Sequence, residues 1–401
     1  MANRVHAFRH RGLRVRYQHL PGPLTAIALV VRAGARFDRR HPGIAHMAEH
    51  MLFQGTASLD QLTLNRRAAE LGGEHNADTG YEDISLTIEV FNEDLPAALA
   101  LLAEQFYHTR VDPNRFRKER RVVLDEVRSR ADDPGDYLHT QGWCRFFGGA
   151  LAHPVCGTWR SLNELTAADV SVFLRRCFVH ANSVLAVVGG VALEQARSAV
   201  RRHFAHGNER PAPPAPPVVA GSAGQVRLRR FGGSQASVSM MLTVTPSARE
   251  IVAMGVALDL VGADPDSRLF QEVRERLGLG YDVSATLDWG PDWAVAIVSA
   301  SAARGQRDRL LRTVADTCQR AAAEGFALDE LQRARKKIRY RYASLAESRL
   351  NQALALAEGV LSGFPTPAEA ERIAAQVTRA EVEAAWRRAM TGRALTVVLA
   401  G

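Results

Sequence analysis

Three things are scarce in this 401-residue sequence: cysteine, lysine and long apolar runs. The four cysteines have no paired spacing, which excludes a disulfide-rich scaffold and predicts buried thiols in a reducing, cytoplasmic compartment. Because no stretch of about 18 apolar residues occurs, we predict no transmembrane helix, and we expect no secretory signal at the N-terminus. With 46% hydrophobic and 23% charged residues, the composition is instead that of an ordinary globular protein.

The net charge of +8 comes almost wholly from arginine, because the lysines are only Lys118, Lys336 and Lys337. A basic balance can indicate nucleic-acid or acidic partners. Here the arginines are scattered over several predicted helices without interleaved aromatic residues. The densest stretch, residues 333–341, is most simply the solvated face of a long helix. We therefore expect no nucleic-acid partner.

The most informative segment is His46-Met47-Ala48-Glu49-His50. On a helix, positions i, i+3 and i+4 share one face, so two imidazoles and one carboxylate would lie together. Two histidines one turn apart are a natural pair of zinc ligands, and the carboxylate between them can act as a base on water. The order His-x-x-Glu-His is the inverted form of a common zinc-peptidase motif. Two stray histidines on an exposed helix would give the same pattern in a chain with 13 histidines.

A catalytic zinc site needs a third protein ligand. Residues 114–128 are predicted to form a second amphipathic helix, on which Glu119 and Glu126 lie seven residues apart and project from nearly the same face. One carboxylate could bind the metal while the other accepts a hydrogen bond from a ligand imidazole. The spacing is equally typical of a solvated, charged helix face.

Residues 45–56, together with the downstream pair of glutamates, resemble the pitrilysin-type (inverzincin) zinc metallopeptidases. The resemblance is to the short bacterial branch that is similar to mitochondrial processing peptidase. It implies that His46, His50 and Glu126 bind one Zn²⁺ per chain. It also implies that Glu49 is the general base and that Glu119 is a carboxylate in the second shell of ligands.

Two further segments carry the same resemblance. Residues 267–284 are similar to a C-terminal motif of the family, in which Arg274 and Tyr281 would hold the substrate backbone and stabilise the oxyanion. Residues 70–79 resemble the family's substrate-binding edge strand, with Gly73, Asn76 and Ala77 at the matching positions. His75 lies outside that pattern, as either an extra polar contact near the cleft or a surface histidine.

The proline-rich stretch at residues 207–217 divides the chain almost in half. It predicts a zinc-binding domain at 1–206, a linker at 207–223 and a similar domain at 224–401 that carries the Arg-Tyr pair. Each half shows the same plan of early strands, helices, a later strand pair, more helices and a terminal strand. This plan favours the α+β class, with two antiparallel-rich sheets covered by helices. The resemblance implies that the two domains form half of a clamshell.

These features together predict a zinc-dependent endopeptidase that acts on peptides or unfolded segments. Two alternatives stay open: an inactive structural or scaffold subunit of a peptidase complex, and a maturation protease dedicated to one peptide precursor. By the resemblance, Arg274 and Tyr281 would complete a partner's site. The simplest assembly is then a homodimer with two composite sites, and a heterodimer with a related chain is the second possibility.

Overall fold

The structure is a computed structural model that describes residues 4–206, 210–229, 234–280 and 282–400. The strands, in chain order, are β1 (Val5–His10), β2 (Leu13–His19), β3 (Leu24–Val31), β4 (His75–Thr79), β5 (Ile84–Phe91), β6 (Phe147–Gly149), β7 (Ser183–Gly189), β8 (Val218–Ala220), β9 (Gly224–Arg229), β10 (Gln235–Val244), β11 (Val283–Trp289), β12 (Ala294–Ala303) and β13 (Ala394–Ala400).

The α-helices, in chain order, are α1 (Ile44–Leu52), α2 (Gln61–Glu70), α3 (Leu95–His108), α4 (Pro113–Asp132), α5 (Pro134–Phe146), α6 (Trp159–Glu164), α7 (Ala167–Cys177), α8 (Leu193–His203), α9 (Ala248–Leu258), α10 (Arg268–Phe270), α11 (Arg307–Glu324), α12 (Leu328–Glu347), α13 (Arg349–Ser362), α14 (Pro367–Gln376) and α15 (Arg379–Thr391). Two π-helical segments, Asp259–Ala263 and Gln271–Arg276, continue α9 and α10.

The chain forms two compact units that exchange segments. So far as it is described, the first unit comprises Met1–Ser129, His153–Pro217 and Leu345–Thr366. The second comprises Arg130–Ala152, Val218–Ser344 and Pro367–Gly401. Helix α5 of the first half therefore belongs to the second unit, and helix α13 of the second half belongs to the first. Nothing in the sequence pattern indicates this exchange, and the proline-rich stretch falls at the main boundary between the units.

The first unit is built on a six-stranded sheet with the order β1-β2-β7-β3-β5-β4. Strands β2 and β7 pair in parallel, and the other neighbours are antiparallel. Alternate residues of β3 point to opposite faces, and both faces are covered. Ile27, Leu29 and Val31 enter the main core, whereas Ala26 and Ala28 pack against α13. Burial on both faces explains why this central strand reads as a continuous apolar run.

The second unit repeats this plan. Its five-stranded sheet has the order β11-β12-β10-β13-β9, with β13 and β9 parallel and the other neighbours antiparallel. Taken in the order of the sheet, these strands occupy the same places as β4, β5, β3, β7 and β2 of the first sheet. The α+β class and the similarity of the two halves, both predicted from the sequence, are confirmed.

The densest basic stretch lies on α12, as predicted, and its charges are largely paired. Arg333, Lys337, Arg339 and Arg341 all form ion pairs with aspartate or glutamate side chains of the second unit. Across the described ranges, no helix combines the length and apolar character needed to span a membrane.

The contribution of the exchanged helix α13 to the stability of the first unit can be measured by mutation. Leu356 on α13 is 4% exposed and packs against β3 and β7, whereas Leu328 is 62% exposed. Leu356→Ala should lower the free energy of unfolding by roughly 2–5 kcal/mol, because it leaves a cavity in a packed core. Leu328→Ala should change it by less than about 0.5 kcal/mol. Urea unfolding of both variants measures this, and equal effects would contradict the packing role of α13.

Candidate metal centre

Helix α1 separates its apolar and polar residues onto two faces. Ile44, Ala45, Met47, Ala48, Met51 and Leu52 are buried. The remaining side chains, His46, Glu49 and His50, are partly accessible and share the opposite face. Burial of the apolar face therefore fixes the direction in which the two imidazoles and the carboxylate point.

The start of α1 is held from a distance by Asp38. Its buried carboxylate accepts hydrogen bonds from the backbone N–H groups of Gly43 (2.6 Å) and Ala45 (3.0 Å), which have no partner within the helix. Gly43 has φ +91°, and a Cβ there would lie 2.8 Å from the carbonyl oxygen of Cys156. Burial raises the pKa of Asp38 well above its usual range, although the two backbone bonds oppose this. The position of the helix start is thus tightly determined.

Helix α4 brings the two predicted glutamates to α1. Phe116, Val123 and Leu124 form its buried stripe, and Glu119 and Glu126 lie beside the histidines. Asp125, which precedes Glu126 on the same helix, is 72% exposed and pairs with Arg128 at 2.9 Å. Asp125 therefore points away from the histidines, while the two glutamates point towards them.

Three donor atoms converge. Glu126 Oε2 lies 3.6 Å from His46 Nε2 and 3.9 Å from His50 Nε2. The ligand atoms of these three residues all lie within 4.8 Å of one another. Atoms bound to one zinc ion at about 2.1 Å can be no more than about 4.2 Å apart, and both distances to Glu126 satisfy this limit. Two imidazole nitrogens and one carboxylate oxygen also form a known catalytic zinc set, so the residues fit the metal.

The other ring nitrogen of His50 is engaged by Glu119. The distance from His50 Nδ1 to Glu119 Oε2 is 3.1 Å, which suits a hydrogen bond that leaves Nε2 directed at Glu126. Burial alone would lower the pKa of His50, but the bond to Glu119 and the nearby charges of Glu49 and Glu126 raise it above its ordinary value. This surplus of negative charge around the imidazoles favours a bound cation.

Glu49 is oriented by a residue of the edge strand. The hydroxyl of Thr79 donates a hydrogen bond of 2.5 Å to Glu49 Oε2. Burial raises the pKa of Glu49, while the bond from Thr79 and the charge of His50 oppose the shift. A glutamate with a raised pKa is a stronger base when ionised, and one oxygen remains available for proton transfer.

Strand β4 lies at the edge of the first sheet, as predicted. Within the described ranges β5 is its sole strand neighbour, and the opposite edge of β4 is open. Asn76 is exposed and Ala77 is buried. A Cβ on Gly73 would lie 1.6 Å from the carbonyl oxygen of Glu89, so close backbone approach to β5 requires glycine there.

The Arg-Tyr pair belongs to the second unit. Arg274 lies in the π-helical segment after α10, where its guanidinium sits 4.9 Å from the ring centre of Phe270 and 3.5 Å from a carboxylate oxygen of Glu275. Tyr281 lies outside the described residues. The structure thus brings together His46, His50, Glu126, Glu49 and Glu119 within the first unit, whereas Arg274 belongs to the second unit.

Asp38 and Thr79 were missed by sequence reasoning. Thr79 closes the edge-strand segment, and its position on the same strand face as Ala77 could have indicated an inward hydroxyl. Asp38 lies too far before α1 for an ordinary N-cap pattern, and sequence carries no sign of its role. Both are short polar side chains whose partners are set by tertiary packing.

Comparisons with known proteins identify the family of the chain. The family described as Insulinase (Peptidase family M16) matches residues 14–154, and the family described as Peptidase M16 inactive domain matches residues 164–338. The chain therefore belongs to the M16 peptidase family, and the predicted resemblance to pitrilysin-type peptidases is confirmed.

Curated relatives include two proteins named as uncharacterized zinc proteases. That of Mycobacterium leprae is 30% identical over 82% of this chain and 76% of its own length. That of Streptomyces coelicolor is 31% identical over 80% of this chain and 73% of its own length.

Solved structures share the fold at lower identity. A protease from Helicobacter pylori has a TM-score of 0.92 at 18% identity, with all of both chains covered. A structure from Pseudomonas fluorescens, described as a peptidase M16 inactive domain, has a TM-score of 0.91 at 19% identity. This match covers 99% of the present chain and 97% of the Pseudomonas fluorescens chain.

The bond between Thr79 and Glu49 can be tested without any activity measurement. That bond favours the charged carboxylate, so Thr79→Val should raise the pKa of Glu49 further. A carbon-13 NMR titration of the glutamate side chains in metal-free protein measures the change. Thr245→Val, at an exposed threonine of the second unit, is the control and should leave this titration unchanged. An unchanged or lowered pKa of Glu49 in Thr79→Val would refute the bond's role.

Proposed function

We propose that this chain is a zinc-dependent endopeptidase that cleaves peptides or unfolded segments. The observation that carries the proposal is the convergence of His46, His50 and Glu126, with Glu49 on the same helix face. Relatives at about 30% identity that are named zinc proteases support the choice of zinc. We expect one ion per chain, held by these three side chains.

The chemistry that a bound zinc ion supplies here is Lewis acidity, which activates water and polarises the scissile carbonyl. Glu49 takes the proton of the attacking water and later delivers it to the leaving amine. Thr79 keeps one carboxylate oxygen of Glu49 in place. Glu119 fixes the ring of His50, because its bond to Nδ1 selects the orientation in which Nε2 is the ligand atom.

The substrate would bind as an additional strand on β4. An open strand edge binds an extended peptide through its main chain, with little demand on side chains. Gly73 would allow close backbone approach at one end of the strand, while Asn76 and Ala77 would line the bound peptide. Folded proteins rarely present a free extended segment, so the preferred substrates are peptides and unfolded stretches.

Assembly is part of the proposal. By family resemblance Arg274 and Tyr281 would complete the site of a second chain, where a guanidinium and a phenol are suitable donors to an oxyanion. A homodimer with two composite sites is the simplest arrangement, and a heterodimer with a related chain is the second. The mass in sedimentation equilibrium distinguishes a dimer from a single chain.

A cytoplasmic location remains our expectation, since none of the four cysteines forms a disulfide.

An inactive scaffold subunit is the main alternative, because the family that matches residues 164–338 is described as an inactive domain. The second half of the chain, residues 207–401, has no histidine, since none follows His206. The first half retains two histidines, a third donor and a base, whereas a subunit without catalysis has no need for all four. A maturation protease for one peptide precursor would use the same site, and cleavage of a broad peptide panel separates it from a general peptidase.

The proposal predicts different effects at a ligand and at the base. His46→Ala should abolish both zinc binding and peptide cleavage, because two ligands are too few for a stable site. Glu49→Gln should retain zinc and lose cleavage by at least about 100-fold. His108→Ala, at an exposed histidine on α3, should change neither property. Elemental analysis and a quenched-peptide assay give both readouts, and full zinc occupancy in His46→Ala would rule out the site.

The two glutamates of α4 should also differ. Glu126→Gln removes a ligand, whereas Glu119→Gln removes a partner of His50, a change that typically costs about 10–100-fold in metal affinity or activity. Glu126→Gln should therefore lose zinc to a chelator more readily than Glu119→Gln. Asp125→Asn is the matched control on the same helix and should behave as wild type. The opposite ranking of the two glutamates would reverse their assigned roles.

A further inference from the structure

Strand β4 and helix α1 must keep a fixed relation for the proposed site to work. The strand would hold the peptide, and the helix carries two of the ligands and the base. Their relative position decides which peptide bond lies at Glu49. Yet β4 is a five-residue edge strand with a single strand neighbour in the described chain, and such strands fray easily.

One end of β4 is joined to α1 directly, through the bond of 2.5 Å from the Thr79 hydroxyl to Glu49. The other end is joined through Gln105 of α3. The distance from His75 Nε2 to Gln105 Oε1 is 2.9 Å, and Gln105 Nε2 donates to the carbonyl oxygen of Leu52 at 3.1 Å. Leu52 is the last residue of α1, and carbonyls in the last turn have no partner within a helix.

The direction of these hydrogen bonds is determined by their chemistry. An amide nitrogen can only donate, so Gln105 Nε2 must face the Leu52 carbonyl and Oε1 must accept. His75 Nε2 therefore carries a hydrogen and donates it. Burial lowers the pKa of His75, with the bond to Gln105 opposing, which favours the neutral ring. Gln105 is fully buried, so losing either bond would leave a buried polar group without its partner.

Packing restricts the same end of the strand. The ring of His75 lies 5.1 Å from the ring of Phe53, the residue that follows α1. Gly73 is pressed against β5, with the backbone N–H of Glu89 donating to the carbonyl oxygen of Glu74 at 3.2 Å. His75 and Thr79 also share the inward face of the strand, since they are four residues apart. Both ends of β4 are therefore tied to α1 on the same side.

We propose that His75 and Gln105 are positioning residues that, with Thr79, hold the peptide-binding strand in a fixed place on the metal helix. They would thereby determine which bond of a bound peptide meets Glu49. This inference rests on the proposed function, but it concerns residues that touch neither the metal nor the water. The contribution of His75 would be an N–H group whose direction and distance from the backbone allow it to donate to Gln105 Oε1.

The test compares side chains of different length at position 75. A glutamine at position 75 places its amide nitrogen about where histidine places Nε2, whereas asparagine is too short. His75→Gln should keep the wild-type cleavage bond and a kcat/KM within about threefold of wild type. His75→Asn should lose roughly tenfold in kcat/KM, mainly through KM, and should cleave neighbouring bonds as well. Gln105→Met should give the same pattern as His75→Asn, and His108→Asn, on the exposed end of α3, should match wild type.

Cleavage bonds are read by mass spectrometry on a peptide that the wild type cuts at one place, with zinc content and melting temperature measured for every variant. Hydrogen exchange supplies a readout that is independent of activity. Residues 74–80 should exchange roughly fivefold faster in His75→Asn than in His75→Gln, the equivalent of one typical buried hydrogen bond. Loss of zinc in His75→Asn would instead assign His75 a role in keeping the metal helix intact and would overturn the inference.

Two further outcomes separate this inference from the proposed function. If the wild type cleaves peptides but His75→Asn leaves the cleaved bond and the exchange rate unchanged, the positioning role fails and the peptidase stands. If zinc-loaded wild-type protein cleaves no peptide, the proposed function fails, and the positioning role fails with it. Equal impairment of His75→Gln and His75→Asn would also refute the role of an oriented donor.

Discussion

The candidate site depends above all on the burial of one face of helix α1. Six apolar side chains of this nine-residue helix lie in the core, which leaves His46, Glu49 and His50 no direction but outwards. Helical spacing alone would place these three side chains on one face, but it would not determine which neighbouring elements that face meets. Packing of α1, together with the capping of its start by Asp38, directs that face to α4 and β4.

The second requirement is that the sheet beneath α1 be stable on both faces. The main core covers one face of β3 and β7, and the exchanged helix α13 covers the other with alanine and leucine side chains that pack against alanine and valine. Without α13 this face would expose a continuous apolar surface. The first unit therefore depends on a segment that lies more than a hundred residues beyond the proline-rich stretch. Helix α5 has the corresponding place in the second unit, because it contacts β10 and β13, the counterparts of β3 and β7.

The polar contacts of the site form a layer around the three candidate ligands. Glu119 orients His50, Thr79 orients Glu49, and Gln105 links the end of α1 to His75. Each contact joins side chains that are far apart in sequence but belong to elements packed on the same core. Because these bonds are at least partly buried, a displacement of β4 or α4 would change the positions of the candidate ligands and of Glu49.

Much of this was available from the sequence. The spacing of His46, Glu49 and His50 predicts their common helix face, and the spacing of Glu119 and Glu126 predicts theirs. The predicted plan of early strands, a later strand pair and a terminal strand in each half also matches the observed order of elements. These features are local, because helix and strand periods act over a few residues. The exchange of α5 and α13, the cap by Asp38 and the contacts of Thr79 and His75 were decided only by tertiary structure. They join residues between five and several hundred positions apart, and no local period records which distant polar group will satisfy a buried donor or acceptor.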